Sequence, residues 1–382
     1  MKKVFYIGVI GITLFEILKV YFIMPMPGSQ EMNSLDVAYF LHSYRWFFRI
    51  VFAIMILVGV PKAFQIKHKW IPVAALLAAL YVMYTFNFEM LAEKMFRQPE
   101  NLSFKPKAEN QLTDSSIVIG VELNGEAKAY PIRYIQYHHQ VQDTVGGKPM
   151  IITYCNVCRT ARVFEPIVNN HHEKFRLVGM DHFNAMFEDE STGSWWRQVN
   201  GEAVTGSLKG EVLPEVHSSQ LTLKKWFELY PNALVMQVDE SSRQSYDSTG
   251  RFEKGKSKGK LTRKDSLSWE NKSWVVGIQI DGESKAYDWN QLKQLRVIND
   301  KVGGKPIVLA LAEDDQSFAA FERPADSLHF SIQNDTLVAK DKRYNFLGRD
   351  LATLSERLNS VKAYQEFWHS WRTFHPNTKK YE

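Results

Sequence analysis

Cys155 and Cys158 are the only cysteines in the chain, and their spacing makes them the first candidates for chemistry. Two thiols three positions apart can hold a soft metal ion, exchange electrons as a dithiol–disulfide couple, or close a small structural bridge. The chain-entropy model gives roughly 2 kcal/mol for a four-residue loop against about 4.7 kcal/mol for one of 100 residues. A bridge meant for stability gains more by joining distant segments, so this spacing favours a redox pair or a metal clip.

Ala161-Arg162-Val163-Phe164 alternates before Glu165-Pro166, the profile of a strand. The pair therefore belongs in a turn between strands and not at a helix N-terminus of thioredoxin type. Arg159, directly after the pair, could stabilise a thiolate. Two sulfurs fill only half of a tetrahedral site, so a metal would need imidazole as well. His138 and His139 are nearest in sequence, with His182 next. Neighbouring helical residues point about 100° apart, so His138 and His139 would not both face one ion. Thiolates with imidazole suit Cu(I) or Zn(II), and Met180 could add a thioether for copper. In the redox case Cys155 would attack and Cys158 resolve.

The elements that must position these residues are short. Met150–Tyr154 and Ala161–Phe164 read as strands, and Pro131 opens a short helix carrying Ile132 and Ile135. Asn200-Gly201 marks a hairpin, and Leu223, Trp226 and Phe227 a helix ending before Pro231. His171-His172 beside Asn169-Asn170 reads as a turn.

Val141–Pro149 lies over Ile298–Pro306 with six of nine positions identical, 157 residues apart. The same offset aligns Gly120 with Gly277, Ala129-Tyr130 with Ala286-Tyr287, and Phe164-Glu165 with Phe321-Glu322. Residues 113–236 and 271–382 thus read as two copies of one unit, each opening on a hairpin at Asn124-Gly125 or Asp281-Gly282. Opposite the cysteines the second copy has Ala312-Glu313-Asp314-Asp315, and opposite His138-His139 it has Leu295-Arg296. The unit can therefore be built without thiols or these imidazoles, which points to chemistry in the first copy.

The 382 residues are 45% hydrophobic and 23% charged, which excludes disordered, collagenous and disulfide-scaffold classes. The net charge of +5 is scattered, with no dense basic helix, so nucleic acid is not an expected partner. Residues 4–24, 46–64 and 70–88 are each long and apolar enough to cross about 30 Å of hydrocarbon. Glu16 and Lys19 are placed to pair on one helical face, and Arg49 to extend toward the headgroups. Lys2 and Lys3, and Lys62, Lys67 and Lys69, mark the cytoplasmic side. A multi-pass protein of the inner or cytoplasmic membrane follows, with everything after the third span outside. Gly255-Lys256-Ser257 lacks the strand and helix that a phosphate loop needs.

Ala129-Tyr130-Pro131, His138, Asp143–Pro149, Thr153-Tyr154-Cys155 with Cys158, and Thr192-Gly193-Ser194 with Trp196 and Gln198 form an ordered set. In this set the chain resembles the domain of unknown function 3179 family, from about Ser116 to Met236 and more weakly through the second copy. The family's usual histidine falls on His138, ranking it above His139, while Trp196 and Gln198 would line the same site. The chain departs from the pattern at His139 for a glutamate, Asn156 for a proline and Arg159 for a frequent glycine.

The expected fold is α+β: three transmembrane helices over residues 1–90, a first unit over 91–238 carrying the cysteines, a polar linker or loop over 239–268, and a second, degenerate unit over 269–382. The expected function is metal binding by Cys155, Cys158 and His138, or thiol redox exchange. The alternative is a non-enzymatic cell-envelope interaction module with a structural disulfide.

Overall fold

The computed structural model describes every residue except Leu354, and every side chain except that of 354 and those of 247–249. Contacts divide the chain into two compact units: residues 1–97, 173–197 and 202–212, and residues 98–172, 198–201 and 213–382.

The first unit holds three helices long and apolar enough to cross a membrane, Lys2–Tyr21, Arg45–Ala63 and Trp70–Glu89. Phe5, Val9, Ile12, Ala63 and Ala79 form their buried seam. Glu16 pairs with Lys19 at 2.9 Å, as expected. Arg49 does not reach outward; its Nε donates to Glu16 Oε1 at 2.6 Å, and its Nη2 to Asn87 Oδ1 at 2.6 Å. A buried carboxylate needs its charge offset by near partners, and a single π turn over Thr85–Glu89 brings Asn87 to it. The unit also contains a four-stranded antiparallel sheet in the order Ala203–Thr205, Trp195–Arg197, Asn184–Asp189, Phe175–Asp181.

The second unit is β-rich. Ser219–Thr222, Ile117–Leu123, Glu126–Pro131 and Leu234–Met236 are neighbours in one sheet, the last pair parallel. Ala363–Phe367, Trp274–Ile280, Glu283–Asp288 and Lys379–Lys380 follow the same order, again with the last pair parallel. Gln140–Val145, Lys148–Cys155 and Thr160–Phe164 form a meander, and Val297–Val302, Lys305–Leu311 and Phe318–Glu322 form another.

Side chains correspond too. Tyr130 donates to Asp143 at 2.6 Å and Tyr287 to Asp300 at 2.9 Å. A Cβ on Gly120 would meet the Trp226 ring at 2.3 Å, and one on Gly277 the Trp371 ring at 2.2 Å. Gly146 and Gly303 have φ of +57° and +56° and leave no room for a Cβ against the carbonyls of Leu123 and Ile280. Ile119, Tyr130, Ile135 and Val163 share one core with Val276, Tyr287, Leu292 and Phe318.

Within the stretch expected to be linker or loop, Arg243–Glu253 is a helix. Its polar composition hides two apolar anchors, Tyr246 and Phe252, both buried in that shared core.

Candidate functional site

Lys148–Cys155 carries a run of β-branched and aromatic residues, Ile151-Ile152-Thr153-Tyr154, all buried. Its ladder with Thr160–Phe164 ends at Cys155 opposite Thr160, so Asn156-Val157-Cys158-Arg159 forms the connecting turn. Arg159 has φ of +56°, the left-handed backbone that glycine adopts without penalty. The arginine is held there by its side chain. Its Nε donates to Gln365 at 2.9 Å, Nη1 and Nη2 reach the carbonyls of Phe252 and Glu253, and the guanidinium lies 3.7 Å from the centroid of the Trp274 ring.

Both cysteines are fully buried, and no disulfide joins them. Burial first, then a hydrogen bond with Cys155, pushes the Cys158 thiol well above its usual pKa, opposed by a hydrogen bond with Ser370. Ser370 Oγ donates to Glu366 Oε2 at 2.8 Å. Glu366 is fully buried and accepts from Arg162 at 2.7 Å and Thr160 at 2.8 Å. The Cys158 carbonyl accepts the Phe367 amide at 2.9 Å.

Lys272 Nζ donates to the Val157 carbonyl at 2.7 Å and to His369 Nε2 at 3.0 Å. Burial pulls the Lys272 pKa down to about 8, while Cys158 and Cys155 pull it up. Burial first and Lys272 next lower His369 to about 3, so its imidazole is neutral and can accept from the ammonium.

His138, at the end of helix Ile132–His138, is fully buried and hydrogen-bonds through Nε2 with the Tyr246 hydroxyl. His139 caps that helix with φ of +62°, and burial lowers its pKa to about 4. Gln198 Nε2 donates to Thr153 Oγ1 at 3.0 Å and to the Thr160 carbonyl at 3.2 Å, bracing the cysteine hairpin. His182 and Trp196 belong to the other compact unit. There His182 bonds Asp181 at 2.7 Å and Asn33 at 3.1 Å, and Trp196 Nε1 donates to Asp189 at 2.8 Å. Among the described residues, no three His, Cys, Asp or Glu side chains gather to hold a metal ion.

Sequence reasoning missed Lys272, Glu366, His369 and Ser370. Each comes from the half that lacks thiols, more than a hundred positions from Cys158. In that half the matching turn is organised by Asp314, whose carboxylate accepts from the Gln316 and Ser317 amides at 2.9 and 2.7 Å.

A family model described as "Protein of unknown function (DUF3179)" matches residues 98–378. No curated protein and no solved structure matches the chain.

Proposed function

The chain belongs to the DUF3179 family, and from that premise we propose that its β-rich region is a thiol–disulfide redox module built from a duplicated unit and anchored outside a membrane by the three apolar helices. The observation that carries this reading is the hydrogen bond between the Cys158 and Cys155 side chains within one turn, beside an ammonium that donates to the same turn. An extracytoplasmic compartment is one in which disulfides form and persist.

The oxidant is a disulfide, RSSR. Cys155 loses its proton to solvent at the turn, the Lys272 ammonium offsets the charge of the thiolate, and the thiolate attacks one sulfur of RSSR to form a mixed disulfide, expelling RS⁻. Cys158, whose raised pKa keeps it a thiol until then, loses its proton and attacks Cys155 Sγ. The Cys155–Cys158 bond forms, a second RS⁻ leaves, and the two protons neutralise the departing thiolates. The protein dithiol is oxidised, and RSSR is reduced to two RSH. Asn156 is the one residue of the turn that is not buried, so the partner approaches there.

One observation favours a second reading, Cu(I) binding. A bis-thiolate Cu(I) centre carries one negative charge, and Lys272 lies in the field of both sulfurs. Two sulfurs suffice for linear Cu(I), whereas Zn(II) takes four ligands.

The test equilibrates the purified full chain with reduced and oxidised dithiothreitol mixtures, traps thiols with iodoacetamide and reads the mass, alongside metal analysis. Redox function requires one two-electron transition lost in Cys155→Ser. Copper bound stoichiometrically, with no such transition, replaces it with the second reading; a pair that neither titrates nor binds metal defeats both.

A further inference from the structure

Away from the cysteines, the second unit contains a cleft of about 420 Å³ whose lining draws on both sequence halves, within the size range of small-molecule sites. Trp226, Phe318 and Phe321 are among its walls and are almost fully buried. The Trp226 indole N–H is buried with no acceptor among the described residues, and buried donors are ordinarily satisfied.

Three basic side chains also line the cleft: His217, Arg357 and Lys362. Lys362 pairs with Glu215 at 3.0 Å. Arg357 spends Nε on the Leu347 carbonyl at 2.9 Å, and among the described residues its two terminal nitrogens carry no bond. Burial first, then Arg357 and Lys362, lower the His217 pKa, with Glu215 opposing. Glu122 lines the cleft as well and Lys362 is taken up by Glu215, so Arg357 is the lining cation whose terminal nitrogens are uncommitted among the described residues.

We propose that this cleft binds a small amphipathic anion, an apolar ring or chain ending in a carboxylate, with its body against the aromatic walls and its charge on Arg357. Apolar walls fix the body by excluding water, and a guanidinium with two unused donors matches a carboxylate in bidentate geometry. The assignment is independent of the thiol reading.

The test is isothermal titration calorimetry on the full chain in nonionic detergent, with 4-phenylbutyrate as probe and 4-phenylbutanol as its uncharged counterpart. Saturable binding of phenylbutyrate is expected, weakened about tenfold in Arg357→Gln and lost in Ala319→Phe, which places a ring in the cleft. Phenylbutanol should bind the wild type and Arg357→Gln equally. Heats that are equal for the wild type and Ala319→Phe mean partition into detergent and overturn the proposal, as does absence of saturable binding. Equal loss of acid and alcohol in Arg357→Gln also overturns it. Arg357 is exposed, so that comparison stands even if Ala319→Phe fails to fold.

Discussion

Lys272 Nζ lies 2.7 Å from the Val157 carbonyl, so the half of the protein without cysteines supplies the cation beside the half with them. A lysine buried this far must lose its hydration, and its pKa of about 8 reports that cost as only partly offset by the neighbouring sulfurs.

Lys272 therefore has a pH signature. Its folded pKa lies below the ordinary value of 10.5, so the unfolded chain binds the proton more tightly. The resulting destabilisation is fully present below pH 8 and gone above pH 10.5. Relative to Lys272→Met, the wild type should gain about 3 kcal/mol across that window. Thermal unfolding of both proteins from pH 7 to 10.5 measures it; a constant gap would refute the assignment.

The same lysine should govern thiol reactivity. Lys272→Met removes the charge that offsets the thiolate, so oxidation by excess disulfide at pH 7.5 should slow at least about tenfold, equivalent to about 1.4 kcal/mol. Stopped-flow with a chromogenic disulfide gives the rate; an unchanged rate would show that Lys272 only braces the turn.

Arg159 offers a separation of backbone from side chain. Both Arg159→Gly and Arg159→Ala lose the contacts to Gln365, Phe252 and Glu253, but only alanine keeps the strain of φ +56°. Arg159→Ala should be less stable than Arg159→Gly by about 1 kcal/mol, read as the difference in melting temperature.

Gly120→Ala and Gly277→Ala should each destabilise by about 1–3 kcal/mol, since the new methyl meets a buried indole at 2.3 or 2.2 Å. Chemical denaturation of each single variant tests this, and similar losses would show the two tryptophans doing equivalent work.

Among the helices, Glu16→Gln should cost about 3–5 kcal/mol, because it leaves Lys19 and Arg49 without their shared carboxylate. Melting of the detergent-solubilised chain measures the loss.

What could be read from sequence was what depends on short spacing. The cysteine turn was legible because a β-branched and aromatic run precedes it and the alternating Ala161–Phe164 follows it, and the Glu16–Lys19 pair because i and i+3 share a helical face. Arg49 was not, since its direction depends on how two helices rotate against each other. Helix Arg243–Glu253 was hidden by a polar composition whose two anchors find their core only in the folded chain. Lys272, Glu366, His369 and Ser370 were invisible because nothing local links them to Cys158. The glycine that the family pattern led us to expect at Arg159 had a conformational meaning, and the structure supplies it.

The cysteine turn is tied to the distal half at five points: the Phe367 amide, Ser370, Gln365, Lys272 and the carboxylate of Glu366 that receives Thr160. A chain truncated before residue 269 would keep both sulfurs yet surrender every one of those tethers. The half without cysteines is thus part of the thiols' environment, and cutting it away strips that environment from the sulfurs.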